Sequence, residues 1–330
     1  FSIVSIDYSG LEMASCATQL YKTFGSSKML DLLNTGDIPF DMHSNYGRLL
    51  KGMKEGLEVS YDEFVANKKK AGYKEYRQTG KPVNLSFPGG VGYDTMRYLM
   101  AQDDIYPEYK VLTRSVSECQ CDMVCKQLWS KGYDNIRKKR LSREEWAVVY
   151  DELVGMKKAL FVLYPELEEF LTDYHKTFLT GEIGKVKNEF GEWEEEPYYR
   201  YQIKTLDGEV FTRDYCTYTA CCNGYLMQSP SAMGAKRAMY KIIKKYAEHP
   251  YMIPQVFVHD EIIFEVAGSE KYAIIEDVSR IMIESMQEVL PEVRIAVEAE
   301  EFPECWKKAG GVWTREFWKS PGEILRSRGS

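Results

Sequence analysis

Two short apolar runs in the last third of the chain flank a charged triplet. The runs cover residues 255–258 and 262–266, and His259, Asp260 and Glu261 stand between them. Runs of this length, rich in β-branched and aromatic residues, are typical of buried strands. The pattern predicts a hairpin whose tight turn presents the triplet. For the triplet alone, a surface hairpin with a polar tip is an equally good interpretation, because buried charges cost free energy unless they are paired or bind a metal.

A second apolar run opens the chain and also ends at a carboxylate. Residues 1–6 read Phe-Ser-Ile-Val-Ser-Ile and are followed by Asp7.

The remaining elements are predicted from local signals. These signals are apolar residues at three- and four-residue steps, a Ser-x-x-Glu capping box at Ser142, a stop at Pro165 and an Asp-Gly turn. The predicted elements are helices at 30–33, 61–67, 117–129, 143–163, 231–248 and 269–289, a hairpin at about 198–213, a strand at 293–298 and an irregular tail.

Composition and charge give little indication of the partner. The 330 residues are 44% hydrophobic and 28% charged, which is ordinary for a globular protein of one large domain or two subdomains. The net charge of -7 does not favour a nucleic-acid partner, so any basic surface must be local. No apolar run reaches the ~20 residues that span a bilayer, and no signal peptide is visible, so we expect no membrane partner and reduced cysteines.

The two carboxylates at strand ends indicate a specific chemistry. If folding brings Asp7 and Asp260 together, their oxygens would suit hard divalent cations such as magnesium. A site with two such ions can activate a hydroxyl and stabilise a leaving phosphate oxygen. Phosphoryl transfer then needs further cations for the phosphates. Arg77, Lys81 and Leu85 follow each other at four-residue steps and would share one helix face, although such a pair of cations alone is usually a solvated surface.

Three motifs in this order resemble those of family A DNA polymerases, the bacterial DNA polymerase I type. They are Asp-Tyr-Ser-x-x-Glu at 7–12, Arg-x-x-x-Lys-x-x-Asn at 77–84 and His-Asp-Glu at 259–261. Together they span nearly the whole chain. The segments Phe-Pro-Gly-Gly at 87–90 and Tyr-Thr-Ala-Cys-Cys-Asn at 218–223 are most similar to bacteriophage members.

The resemblance implies an α+β fold with the right-hand polymerase architecture. Its palm, an antiparallel sheet with helices, would comprise residues 1–14 and 215–330. Mostly helical fingers would comprise residues 15–214, with a β-hairpin insertion near 198–213. The implied activity is template-directed DNA synthesis, which transfers deoxynucleotides from dNTPs to the 3′-hydroxyl of a primer–template and releases pyrophosphate. The implied cofactor is Mg²⁺, two ions, with Mn²⁺ as an alternative.

The resemblance also implies a role for each matching residue. The metal ligands would be Asp7, Asp260 and the backbone carbonyl of Tyr8, with Glu261 supporting the site. Glu12 would exclude a ribose 2′-hydroxyl. The triphosphate would bind Arg77, Lys81 and His43, with Leu85 beside the incoming sugar. The residues that would contact the primer–template are Asn223, Gln228 and His259. Asp7, Asp260, Glu261 and Lys81 would thus form the catalytic set.

The motifs depart from the family pattern in several places. Gly10 stands where Gln is usual, and Leu85 replaces an aromatic residue. Pro82 follows the central lysine, so we expect that helix to be kinked or to begin late. The interval from Asn223 to Gln228 is one residue longer than expected.

Only six residues precede Asp7, which leads us to expect the catalytic part of a split, processed or truncated polymerase. We expect the thumb and the exonuclease domain to be absent from this chain, with the thumb on a second polypeptide or on a removed segment. The expected location is the cytoplasm, that of a bacterial host if the chain is phage-encoded. Alternatives are a single-subunit RNA polymerase and a non-catalytic nucleic-acid-binding subunit of a replication complex. A His–Asp phosphohydrolase fits poorly, because the chain has only four histidines.

Overall fold

The structure is a computed structural model that describes most of the chain. The described residues are 1–93, 96, 99, 143–178, 183–187, 193–197, 201–204, 208, 210–213, 222–302 and 313–319. The chain divides into two compact units, which we call the strand unit and the helical unit. The strand unit comprises Phe1–Phe40 and Glu169–Ser330, and the helical unit comprises Asp41–Glu168. The palm and fingers boundaries at 14 and 215 stay a prediction.

The chain is an α+β protein, in which most helices and antiparallel strands occur in separate stretches. In the first part they are β1 (Ser2–Tyr8), α1 (Leu11–Phe24), α2 (Lys28–Leu33), α3 (Met42–Glu55), α4 (Tyr61–Asn67), α5 (Lys74–Ser86), α6 (Arg143–Leu163) and α7 (Pro165–Thr172). A 3₁₀ helix (Tyr174–Phe178) and four strands follow, β2 (Ile183–Lys187), β3 (Trp193–Pro197), β4 (Tyr201–Lys204) and β5 (Val210–Arg213). The last part holds a π-helix (Gly224–Gln228), α8 (Ser229–Tyr246), β6 (Met252–Val258), β7 (Glu261–Val266), α9 (Lys271–Gln287), β8 (Ile295–Phe302) and β9 (Trp313–Lys319).

A five-stranded antiparallel sheet forms the centre of the strand unit, with the strand order β6-β7-β1-β8-β9. The hairpin predicted around the charged triplet is confirmed as β6 and β7, and the opening apolar run is confirmed as the central strand β1. The burial expected of the first hairpin run is wrong, because β6 is an edge strand on which Val256 and Val258 are exposed. The tail was expected to be irregular, and this prediction is wrong, because β9 pairs with β8 along its whole length. Segment 313–319 contains residues that favour strands, but apolar and polar positions do not alternate regularly along it.

The side chains of β1 alternate between the two faces of the sheet. Val4, Ile6 and Tyr8 are almost completely buried on one face. The Tyr8 hydroxyl donates a hydrogen bond of 2.8 Å to the carbonyl of Met282 in α9. Because side chains alternate along a strand, Ser5 and Asp7 lie on the other face. Burial of each large side chain contributes about 2 kcal/mol, so register shifts of β1 are strongly disfavoured.

The helical unit is organised around the contact between α3 and α5. A Cβ atom at Gly80 of α5 would lie 2.6 Å from the carbonyl oxygen of His43, and one at Gly47 of α3 would lie 3.0 Å from the backbone nitrogen of Arg77. Only glycine permits this approach. Although Pro82 lies inside α5, the helix does not begin late, since it runs from Lys74 to Ser86.

Most other predicted elements are confirmed. The helices at 30–33, 61–67, 143–163, 231–248 and 269–289 correspond to α2, α4, α6, α8 and α9, and the strand at 293–298 corresponds to β8. The predicted 198–213 hairpin is confirmed in β4 and β5. The pairing of β2 with β3 was not predicted. The helix expected at 117–129 lies outside the described residues. Within the part of the chain that the structure describes, no helix has the length and apolarity to cross a membrane.

Candidate functional site

Asp7 and Asp260 lie together at one end of the sheet. Asp7 is opposite Glu261 in the register of β1 and β7, and Asp260 belongs to the two-residue turn just before Glu261. The backbone N–H of Tyr8 donates to the carbonyl of Asp260 over 3.4 Å. The two carboxyl groups are within hydrogen-bonding range of each other.

The turn that carries Asp260 has an unusual backbone. His259 has a φ of 57°, and it is the only non-glycine residue with a positive φ in the described part of the chain. Two-residue turns between antiparallel strands favour a positive φ because it matches the twist of the strands. His259 is exposed at this turn, next to the Asp260 carboxyl.

Like charges dominate this end of the sheet. Loss of hydration, followed by the charges of Asp260 and Glu261, raises the pKa of Asp7. Burial also raises the pKa of Asp260, and the imidazole of His259 acts in the opposite direction. Raised pKa values of this kind mean that the ionised carboxylates lack sufficient positive charge nearby. A bound cation would supply it.

Glu12 lies close to this pair, in the first turn of α1. Burial is the main cause that raises the pKa of Glu12, and the charge of Asp260 adds to it. Gly10 precedes the helix with a φ of 65°, and nothing lies within 4 Å of the position that its Cβ would occupy. Glycine is therefore favoured here by its backbone conformation and not by a lack of space.

Sequence reasoning missed two further carboxylates on the same face. Across the strands, Asp7 is opposite Glu298 of β8, and Glu298 is opposite Glu316 of β9. Directly opposed side chains of antiparallel strands point to the same face. Glu261, Asp7, Glu298 and Glu316 thus form an acidic row. Glu261 also accepts a hydrogen bond from the Ser5 hydroxyl.

The residues present fit magnesium better than a metal that needs a complete protein cage. Among the described residues, no group of three or more His, Cys, Asp or Glu side chains is arranged to hold a metal ion. Mg²⁺ usually keeps several waters and binds one or two carboxylates together with substrate phosphates. The adjacent carboxyl groups of Asp7 and Asp260 supply such a partial set.

The one-residue excess between Asn223 and Gln228 coincides with the π-helix. The N–H of Ser229 donates to the carbonyl of Gly224, five residues earlier. Residues five apart in a π-helix share a face, as residues four apart do in an α-helix. Asn223 and Gln228 therefore lie on one side, and both side chains are at least partly exposed.

Contacts within the strand unit support this π-helix. The buried Gln19 side chain of α1 donates a hydrogen bond of 3.0 Å to the carbonyl of Tyr225. The ring of Tyr225 stacks on Phe170, with the ring centroids 5.7 Å apart. A side-chain donor thus satisfies a carbonyl of the π-helix.

The helical unit brings the three predicted phosphate-binding residues together. Arg77, Lys81 and Leu85 lie on α5 at four-residue steps, and Lys81 and Leu85 are exposed. His43 lies in the first turn of α3, with its Nδ1 atom 3.2 Å from the side-chain nitrogen of Asn84. Burial, and then the charges of Arg77 and Lys81, lower the pKa of His43 to about 4, so the imidazole is neutral at pH 7.

Asp41 is the residue in this unit that sequence reasoning missed. Its carboxylate caps the N-terminus of α3, where it accepts a 3.0 Å hydrogen bond from the Ser44 N–H. It also accepts a 2.9 Å bond from Nε of Arg77 and lies 3.2 Å from Nζ of Lys68. Although burial opposes ionisation, the charge of Arg77 holds the pKa of Asp41 well below its usual range. The cap was readable from Asp41 and Ser44, but the contact with Arg77 was not.

Comparisons with known proteins give matches among solved structures only. No protein-family model matches the chain, and no curated protein matches it. Among solved structures, 122 chains match. One is the polymerase domain of Pol1 from M. smegmatis in complex with DNA primer-template and dNTP. It is 17% identical with a TM-score of 0.49, and the alignment covers 92% of this chain but 40% of that one. A likeness of this degree carries no argument about activity.

Proposed function

We propose that the chain is a nucleotidyltransferase that synthesises DNA on a primer–template from dNTPs. The observation that carries this proposal is the contact between the carboxyl groups of Asp7 and Asp260, more than 250 positions apart in the sequence. Both pKa values are raised, so the pair favours a divalent cation over two bare charges. The three sequence motifs support the same activity.

The residues that would hold two Mg²⁺ ions, or Mn²⁺, are Asp7, Asp260 and the backbone carbonyl of Tyr8. Bound there, the ions would activate the primer 3′-hydroxyl and stabilise the departing pyrophosphate. Glu261 supports the site through its hydrogen bond with Ser5, which limits its freedom to move away from Asp7.

The other residues bind and select the substrate. In this proposal Glu12, next to Asp260, excludes a 2′-hydroxyl by its volume. On α5, Arg77 and Lys81 bind the triphosphate, because a guanidinium offers a planar fork and an ammonium a point charge. His43 lies near the same phosphates, and Leu85 lies beside the sugar. Asn223, Gln228 and His259 contact the primer–template.

The competing functions are a single-subunit RNA polymerase and a non-catalytic nucleic-acid-binding subunit. The position of Glu12 beside Asp260 favours deoxynucleotides. The requirement for a second polypeptide that supplies a thumb stays a prediction.

Primer extension tests the proposal. The chain is incubated with a labelled primer on a longer template, Mg²⁺ and either dNTPs or rNTPs, with Asp260→Asn as the inactive control. We expect extension with dNTPs that the control lacks. Preferential extension with rNTPs would identify an RNA polymerase instead. DNA binding without extension, equal in both proteins, would identify a binding subunit.

A further inference from the structure

Asp41 connects three elements of the helical unit through one carboxyl group. Its Oδ1 atom accepts a hydrogen bond from the N–H of Ser44 and so caps the N-terminus of α3. Its Oδ2 atom accepts from the Ser44 hydroxyl at 2.8 Å, from Arg77 at 2.9 Å and from Lys68 at 3.2 Å. The Asp41 side chain is only 14% exposed, so these bonds are shielded from water. Charge-assisted bonds in such a setting hold their donors in a fixed geometry.

Arg77 is held by one edge of its guanidinium. Nε is the nitrogen that bonds Asp41, and the two Nη groups have no hydrogen-bond partner among the described residues. A guanidinium is a planar fork, so fixing Nε fixes the direction of the Nη donors. The edge that remains available matches the spacing of two oxygens on a phosphate or carboxylate.

We propose that Asp41 is a positioning residue of the triphosphate site: it orients Arg77 through Nε and leaves the Nη edge for a phosphate group. The nature of the ligand, a nucleoside triphosphate, rests on the proposed function. The orientation of Arg77 depends only on contacts within the helical unit.

The charged side chains around Asp41 have a net positive charge, which favours binding of a polyanion. Lys68, Arg77 and Lys81 carry three positive charges against the one negative charge of Asp41, while His43 is neutral at pH 7. Lys68 offsets the charge that Asp41 would otherwise direct at an incoming phosphate. Without a positioning role, Asp41 would only weaken anion binding, because it is the single acidic member of these five residues.

Two explanations therefore predict opposite signs for Asp41→Asn. If Asp41 acts only by its charge, the substitution strengthens binding of a polyanion. If it orients Arg77, the substitution weakens binding. Asn is as good a helix N-cap as Asp, so α3 should keep its cap while the ionic bond to Arg77 is lost.

The measurement is the Kd of dATP for the full chain, in Mg²⁺, by isothermal titration calorimetry. For Asp41→Asn we expect a Kd raised about tenfold, the effect of losing one charge-assisted hydrogen bond. An unchanged or lower Kd would overturn the proposal. The matched control is Glu152→Gln, which removes a carboxylate that pairs with Lys54 at 2.9 Å, near the opposite end of α3. This control should leave the Kd unchanged.

A double substitution shows whether Asp41 acts through Arg77. Arg77→Lys keeps the positive charge but removes the fork, and we expect it to raise the Kd about tenfold by itself. Asp41→Asn should then add little in the Arg77→Lys background. Additive effects would mean that Asp41 acts through another group and would overturn the proposal. If Asp41→Asn does not fold, Arg77→Lys remains decisive, since an unchanged Kd would remove the need for an oriented fork.

The outcomes also separate this inference from the proposed function. If the wild-type chain binds dATP with the expected coupling but extends no primer, the positioning role stands and DNA synthesis is rejected. If the wild-type chain extends primers and Asp41→Asn has the same KM for dNTPs, DNA synthesis stands and the positioning role is rejected.

Discussion

The two units hold their charged residues in opposite ways. In the strand unit, Asp7 and Asp260 have the same charge, and their pKa values are raised. In the helical unit, Arg77 is paired with Asp41, whose pKa is lowered. The first site is electrostatically incomplete without a cation, whereas the second carries its own counter-ion. A carboxylate pair without a counter-ion is suited to capture a cation, whereas a cation that is neutralised within the protein is held in a fixed geometry.

The means of positioning differ as well. Strand register places Asp7 beside the Asp260 turn, so the acidic site depends on backbone hydrogen bonds across β1 and β7. Close packing places His43 beside α5, so the basic site depends on the absence of side chains at Gly47 and Gly80. The two sites should therefore fail in different ways when they are altered.

The largest effect is expected from Asp260→Asn. Loss of one of the two carboxylates among the proposed metal ligands should reduce primer extension about a thousandfold or more. Stability should not fall, because the substitution removes repulsion with Asp7. Melting temperature and extension rate are measured on the same preparations.

Asp277→Asn in α9 is the matched control. Asp277 pairs with Lys245 at 2.7 Å, and its pKa is lowered despite partial burial because Lys245 and other donors bind it. Its substitution should lower the melting temperature and leave primer extension intact. A loss of stability in Asp260→Asn equal to that of the control would contradict the difference drawn between the two kinds of site.

Gly80→Ala should destabilise the helical unit by about 3 kcal/mol, because the new Cβ would lie 2.6 Å from the backbone oxygen of His43. Urea unfolding measures the loss, and triphosphate affinity should fall with it. Gly155→Ala is the control, since Gly155 lies inside α6 and nothing lies within 4 Å of its added Cβ. The control should gain about 0.5–1 kcal/mol. Equal effects at both positions would show that the α3–α5 packing does not require glycine.

The pH dependence of stability should show that His43 is buried as a neutral imidazole. Its folded pKa of about 4 lies below the ordinary value of 6.5, so between these values the unfolded chain binds more protons. The contribution of neutral His43 to the free energy of unfolding is complete above pH 6.5 and is lost as the pH falls toward 4. Allowing for partial solvent exposure, the loss should be about 2 kcal/mol.

His43→Gln isolates this contribution, because the raised pKa of Asp7 makes stability change in the opposite direction over part of the same range. The difference in unfolding free energy between His43→Gln and the wild-type chain should shrink as the pH falls from 7 to 4. A constant difference across this range would mean that His43 is not buried as a neutral base.

The smallest effect concerns Glu12. Glu12→Ala should raise incorporation of rNTPs about tenfold relative to dNTPs, because the volume that excludes the 2′-hydroxyl is lost. Glu12→Gln keeps the volume and should keep most of the discrimination. If Glu12→Gln relaxes the selection as much as Glu12→Ala, the charge of Glu12 and not its size is responsible.

Local elements could be predicted from the sequence because their signals are short-range. Apolar spacing predicted α2, α4, α6, α8 and α9, and the Asp-Gly turn predicted the β4–β5 hairpin. The strand that carries Asp7 and the hairpin whose turn carries Asp260 were predicted in the same way. For Arg77, Lys81 and Leu85 the four-residue steps indicated only that a helix would place them on one face. The roles of these residues remain proposals.

What the sequence did not reveal depends on contacts between distant segments. Glu298 and Glu316 join Asp7 only through the order of β1, β8 and β9. The π-helix that absorbs the extra residue before Gln228 is supported by Gln19, about two hundred positions away.

Periodicity and turn chemistry act over a few neighbours, so they were enough to place most of the strands and helices and the charged side chains at their ends. The contact of Asp260 with Asp7 and that of Asp41 with Arg77 follow only from the fold. These contacts arise when strand pairing and close helix packing bring distant segments together, and the free energy that selects them is shared by the whole core.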